Sequence, residues 1–101
     1  MATLVVTAHA DREFGDVQGY LDEVAGPATA GAYAQRFADT LELIAQSPSA
    51  GPRRPALGVN TRIMIVLPYV LIYDYDDVDD HVVLPRVLHG RRRITERLLD
   101  H

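Results

Sequence analysis

The chain contains no cysteine, so it holds no disulfide framework, thiol nucleophile or thiolate metal site, and a cytoplasmic setting is the default expectation. It also lacks lysine: all ten basic residues are arginine, the better planar partner for carboxylates and phosphates. No apolar run approaches the ~20 residues that a membrane span needs. Residues 1–10 lack the basic start and apolar centre of a signal peptide. With no long linker, internal repeat or low-complexity tract, a single domain over residues 1–101 is expected. A domain of this size buries a modest core and gains from a partner that covers part of its surface.

The charge that is present is uneven. The formal net charge is −4, yet residues 1–50 carry two Arg against seven acids, whereas residues 81–101 carry five Arg against two. Such a chain lacks the dominant basic face that counterion release from nucleic acid requires. Any anion contact is therefore local and lies toward the end of the chain.

Residues 3–6 read as a short apolar strand leading into Thr7, whose hydroxyl suits the cap of a following helix. Over residues 8–24, Phe14, Val17, Leu21 and Val24 recur three to four apart with Tyr20 beside them, forming one helical stripe. Gly15 and Gly19 each weaken that helix by about 1 kcal/mol relative to Ala, so packing must hold it. Gly26-Pro27 stops this helix and starts a second over residues 28–46, with Tyr33, Phe37, Leu41 and Ile44 turned inward. The two form an antiparallel hairpin. Residues 47–52 (Ser-Pro-Ser-Ala-Gly-Pro) break the pattern, and Arg53-Arg54-Pro55 follows in a loop.

Residues 62–67 alternate, with Ile63, Ile65 and Leu67 on one face and Arg62, Met64 and Val66 on the other. Pro68 marks a tight turn. Residues 69–75 and 81–88 are the next strands, joined by an acidic segment over 76–80. Pro85 has no N–H for a ladder, so the last strand is either an edge or bulged there. Residues 94–99 suit a short terminal helix, with Ile94, Leu98 and Leu99 as its contacts. The expected class is α+β in the order β-αα-βββ: a helical hairpin packed on a mainly antiparallel sheet, with a short C-terminal helix.

Asp74, Asp76, Asp77, Asp79 and Asp80 resemble a calcium loop in composition only. With Asp74 first, Val78 falls at the fifth position, Asp79 where Gly is required, and Pro85 where a bidentate Glu is needed. They read as a solvated hairpin tip. His9, His81 and His101 have no metal-like spacing, and no metal or cofactor is expected.

Five segments occur in a fixed order. They are Ala10-x-x-Glu13-Phe14-x-x-Val17-x-x-Tyr20-Leu21, Pro48-x-x-Gly51-x-x-Arg54-x-x-Leu57, Arg62 opening the second strand, Tyr69-x-Leu71-Ile72-Tyr73, and Leu84-x-Arg86-Val87-Leu88-His89-Gly90-Arg91-Arg92. Together, over nearly the whole chain, they resemble the RelE/ParE superfamily of bacterial type II toxins, the ParE branch most closely. The resemblance implies a small toxin neutralised by an antitoxin encoded beside it. ParE-type members poison DNA gyrase; RelE-type members cut messenger RNA on the ribosome.

Ribonuclease chemistry needs several cations and an acid–base group converging on one sheet face. By resemblance, Arg62 and Arg86 sit where RelE-like nucleases place phosphate-binding arginines, Arg53 and Arg54 where such enzymes often carry lysines, and His89 is a candidate acid or base. The tyrosine that several of these nucleases hold near the end of the chain is missing, and Arg91, Arg92 and Arg93 follow instead. The acidic balance also fits poorly with docking on ribosomal RNA. The expectation is therefore a non-enzymatic gyrase poison held by a ParD-like antitoxin, meeting operator DNA only through that antitoxin. The alternative is a ribosome-dependent endoribonuclease using Arg62, Arg86 and His89. The expected target- or antitoxin-binding residues are Arg53, Arg54, Arg62, Arg86, His89, Arg91, Arg92 and Arg93. Structural readings stand beside these roles: Arg62 and Arg86 pairing with carboxylates of the sheet or the antitoxin, His89 capping the strand end, and the last three arginines forming a solvated turn at a helix start, where the dipole disfavours cations. An exposed sheet edge and a helix groove are the surfaces an antitoxin tail would cover.

Overall fold

Local chemistry starts and stops the two helices. The computed structural model of the chain describes residues 1–90; the helix expected over 94–99, and Arg91, Arg92 and Arg93, lie outside the described residues. Strand β1 (Thr3–Val6) runs into helix α1 (Ala8–Ala25), and the Thr7 hydroxyl accepts the Ala10 N–H at 3.1 Å, as an N-cap should. Gly26 has φ +91°, a conformation that favours glycine, and lies between α1 and α2 (Pro27–Gln46), with Pro27 in the first helical turn. One residue therefore separates the helices. After a 3-10 turn (Pro48–Ala50) come β2 (Thr61–Val66), β3 (Tyr69–Asp76) and β4 (His81–His89).

The sheet order is β1-β4-β3-β2, with β1 parallel to β4 and the other pairs antiparallel. The helical hairpin covers one face. Phe37, Ile44, Val66, Leu71, Tyr73, Val82, Leu84 and Val87 are buried there, and Phe14 meets Phe37 edge-on at 5.1 Å. On the other face Ile63, Val70, Ile72 and Leu88 cluster with Leu57 from the loop before β2.

Two expectations are corrected. Tyr20 and Val24 are 60% and 59% exposed, so the inward stripe of α1 ends at Leu21, while Ala10 is fully buried. Helical period sets the direction of a face; it does not say where the opposing surface stops. Of the two readings of Pro85, the edge fails: β4 is central, between β1 and β3. The bulge stands. Register passes from Asp74↔Val83 to Ile72↔Arg86, so Leu84 and Pro85 together oppose Tyr73. On the other side, β1 pairing ends at Val6↔Leu84, so Pro85 lies just past the last β1–β4 pair.

Candidate functional site

Arg53 and Arg62 come together at the β2 side of the sheet. An isolated antiparallel bridge joins Arg53 to Arg62, and Arg54 N–H donates to Thr61 O at 2.9 Å. The bridge sets both side chains over one shallow depression of about 100 Å³, lined also by Ser49, Asn60, Tyr75 and Asp77. The Arg62 guanidinium donates from one nitrogen to Ser49 O at 3.1 Å and Gly51 O at 2.8 Å, and Arg53 donates to Val59 O at 2.8 Å.

Those carbonyls are held in place by Tyr73. Its buried hydroxyl donates to Pro48 O at 2.7 Å and accepts from Gly51 N–H at 3.1 Å. Burial raises the Tyr73 pKa above its usual 10.0, against lowering contributions from the Gly51 hydrogen bond and the Arg62 charge. The phenol therefore stays neutral and keeps the proton that it donates. Gly51 is required by close approach: a Cβ there would lie 2.3 Å from Ile63 O and 2.5 Å from the Tyr73 hydroxyl.

Arg86 stands elsewhere and is engaged differently. It is only 7% exposed, and its Nε and one terminal nitrogen donate to the Glu13 carboxylate of α1 at 3.1 Å each. Glu13 also accepts the Val87 N–H at 2.9 Å. Since β1 ends opposite Leu84, β4 backbone beyond that point loses its strand partner. Thr7 takes Leu84 O and Pro85 O, and Glu13 takes the next N–H. The carboxylate anticipated for Arg86 thus comes from a helix, whereas Arg62 is met by carbonyls. His9 lies 3.8 Å from Glu13 on the exposed side.

His89 ends β4 opposite Tyr69 and packs edge-on against that ring at 5.6 Å, continuing a chain of rings through Tyr33 and Phe37. The Tyr69 phenol is also pushed up, first by burial and then by Tyr33 and Tyr20.

The three residues of the nuclease alternative are spread across the sheet. Arg62, on the edge strand β2, pairs with Tyr73, His89 lies opposite Tyr69 at the end of β4, and the Arg86 backbone aligns with Ile72 while its guanidinium reaches Glu13 of α1. The bulge at Leu84 and Pro85 resets the alternation of β4 just before Arg86. Glu13 and Tyr73 were present in the sequence motifs but carried no assigned role. Their partners lie 73 and 22–25 residues away, beyond any local signal.

The aspartates form a hairpin tip. Asp76 accepts from Val78 N–H and Asp79 N–H, Asp80 has φ +51°, and its carboxylate accepts from the Tyr75 hydroxyl, raising the Tyr75 pKa. Among the described residues no three His, Asp or Glu side chains group as a metal site, and no helix is long and apolar enough to cross a membrane.

The family model described as ParE toxin of type II toxin-antitoxin system, parDE, matches residues 4–94. No curated protein matches the chain. Among solved structures it is similar to the chromosomal ParDE toxin–antitoxin system from P. aeruginosa, at TM-score 0.72 and 16% identity over 88% of this chain and 96% of that one. It is similar to the isolated E. coli RelE toxin at TM-score 0.62 and 16% identity, over 92% and 88% of the two chains. It also resembles the RelBE2 toxin–antitoxin complex from Mycobacterium tuberculosis at TM-score 0.60 and 26% identity, over 87% and 90%. The likenesses at 16% speak to fold alone.

Proposed function

The chain belongs to the ParE toxin family of type II toxin–antitoxin systems, and from that premise we propose that it is a non-enzymatic poison of DNA gyrase acting in the cytoplasm. It would bind gyrase and hold its cleaved-DNA state, and a ParD-like antitoxin would keep it inactive in a hetero-oligomer that alone touches operator DNA. The observation that favours binding over RNA cleavage is the placement of the arginines. Phosphoryl transfer needs cations and an acid–base group around one phosphate, yet Arg86 is committed to Glu13 of α1 and stands on β4, two strands away from Arg62 on β2.

The antitoxin surface follows from the exposed features. An apolar groove of about 270 Å³ between α1 and α2, floored by Phe14, Phe37 and Leu41, suits an amphipathic helix. An extended segment would follow a sheet edge. Arg53, Arg54 and Arg62 at the β2 side, Arg86 and His89 on β4, and Arg91, Arg92 and Arg93 outside the described residues are the proposed contacts with antitoxin or target.

Purified chain added to a gyrase supercoiling assay, run beside a map of messenger cleavage in cells expressing it, tests the proposal. Blocked supercoiling with intact messages is expected. Cleaved messages with unaffected supercoiling would establish the ribonuclease alternative, and an effect on neither would refute both.

A further inference from the structure

The depression holding Arg53 and Arg62 also holds an exposed serine. Ser49 stands in the 3-10 turn and lines the hollow with both arginines. Its backbone is pinned there: Ser49 O accepts from Arg62 at 3.1 Å, and the Tyr73 hydroxyl bonds Pro48 O and Gly51 N–H on either side. Its hydroxyl, by contrast, has no part in the fold. The Thr7 hydroxyl caps α1, that of Thr40 donates to Arg36 O and that of Thr61 to Asp74, whereas the Ser49 side chain makes no hydrogen bond among the described residues.

The two arginines beside it keep their charge. Carbonyl oxygens orient both guanidiniums, and no ion pair joins either one to a carboxylate among the described residues. Carbonyls fix a guanidinium without cancelling its charge, and the bonds they accept leave the other donors of each five-donor fork. Two positive charges and one negative charge, that of Asp77, therefore line the hollow around the serine.

We infer that Ser49 is a phosphorylation site whose phosphate settles on Arg53 and Arg62. The donor is a nucleoside triphosphate bound by a serine/threonine protein kinase. Ser49 Oγ attacks the γ-phosphorus, and an Oγ–P bond forms as the bond from that phosphorus to the β,γ-bridging oxygen breaks. The electron pair leaves with the nucleoside diphosphate, and the hydroxyl proton passes to a base of the kinase. The product adds about −1.5 to −2 of charge and three acceptor oxygens, which turns the hollow from net positive to net negative. Forked guanidinium donors match those oxygens, and attachment to the same turn removes the cost of bringing the anion in from solution. No histidine lines the hollow, so it holds a phosphate without the acid–base group that would transfer it. The regulatory consequence rests on the toxin reading: Arg53 and Arg62 are proposed contacts with antitoxin or target, and a phosphate on Ser49 occupies both.

The test uses the labelled full chain with phosphoserine encoded in place of Ser49. The control carries it in place of Ser47, which is exposed in the same segment and is not among the residues lining the hollow. By phosphorus NMR, the phosphate at 49 should hold its last proton at least about tenfold more weakly than the one at 47, and the Nε–H signals of Arg53 and Arg62 should move as it ionises. Arg53→Gln leaves the Arg62 bonds to the 3-10 turn in place and should bring the two phosphates about threefold closer. In the supercoiling assay, the chain phosphorylated at 49 should need at least about tenfold more protein to block gyrase than the control, the scale of one charged hydrogen bond. Mass spectrometry of the chain from the cells that naturally make it should find phosphate on Ser49. Equal proton affinity at 49 and 47, unmoved guanidinium signals, or phosphate in those cells on Ser47 alone or on neither serine would overturn the site. Equal block of gyrase by the two phosphorylated chains would overturn its regulatory effect. An unmodified chain without effect on gyrase overturns the toxin reading and leaves a docked phosphate at Ser49 standing.

Discussion

Replacing Glu13 by Ala should be among the most destabilising single changes on α1. The carboxylate has two jobs: it accepts the Val87 N–H at 2.9 Å and faces the Arg86 guanidinium through bonds at 3.1 Å. Both side chains are largely covered, at 17% and 9% exposure, so water replaces little of what is lost. A buried N–H without an acceptor costs about 1–2 kcal/mol, and losing the charged partner of Arg86 costs about 1.5–3 kcal/mol, reduced somewhat by the remaining exposure. The sum is about 3 kcal/mol. For a domain of this length that lowers Tm by roughly 12–24 °C. Glu13→Gln keeps a carbonyl for Val87 while removing the charge, so it should cost about half as much. Urea unfolding followed by far-UV circular dichroism measures both, with the denaturant slope unchanged because the same surface is exposed on unfolding. If Glu13→Ala stays within about 0.5 kcal/mol of the native chain, Glu13 is not what closes the open edge of β4. If Gln costs as much as Ala, the Val87 bond contributes nothing.

Three further outcomes are expected. Gly51→Ala drives a Cβ into Ile63 O and the Tyr73 hydroxyl and should cost about 2–3 kcal/mol in the same urea assay, with the Arg62 Nε–H signal shifted by loss of its carbonyl clamp. Tyr73→Phe should cost about 1–2 kcal/mol by leaving Gly51 N–H unsatisfied. Because the folded Tyr73 pKa is raised, the neutral phenol contributes stability that is fully present below pH ~10 and lost as pH rises through the folded value. With no lysine in the chain, alkaline unfolding above pH ~10 reports mainly on tyrosines, and a pH series should show the Phe variant with a shallower loss. Val24→Ser, at an exposed position, should change stability by less than about 0.5 kcal/mol; a loss near 2 kcal/mol would mean that α1 packs differently.

What the sequence disclosed was local. Thr7 as a cap and Gly26-Pro27 as a joint are legible because each acts on its own backbone, and both occupy the expected places. The strand alternation over 62–67 holds for the same reason, with Ile63 and Val66 buried on opposite faces. What stayed hidden depends on distant partners. Periodicity aimed α1 correctly and still placed Val24 inside, since the extent of the surface opposite belongs to other elements. Arg62 looked like a cation awaiting an anion. Its actual partners, Ser49 O and Gly51 O, exist only because Tyr73 draws residues 48–51 over the sheet.

Pro85 shows how one residue decides between chemistries. A regular β4 would carry one alternation from end to end. The extra residue at Leu84 and Pro85 resets the alternation, so that Val87 and His89 turn toward the helices and Arg86 aligns with Ile72 on the opposite face. The same irregularity falls where β1 ends, which lets α1 supply Thr7 and Glu13 to the freed backbone and draws Arg86 to Glu13. Arginines at 62 and 86 therefore look, in sequence, like a phosphate-binding pair, yet Arg62 lies on the edge strand β2 and Arg86 is held on β4 by Glu13. A chain that must hold one phosphate among several cations is poorly served by this arrangement. One that must present an oriented positive patch to a partner is better served, because Arg53 and Arg62 are held by carbonyls before the partner arrives, while Arg86 stays buried against Glu13.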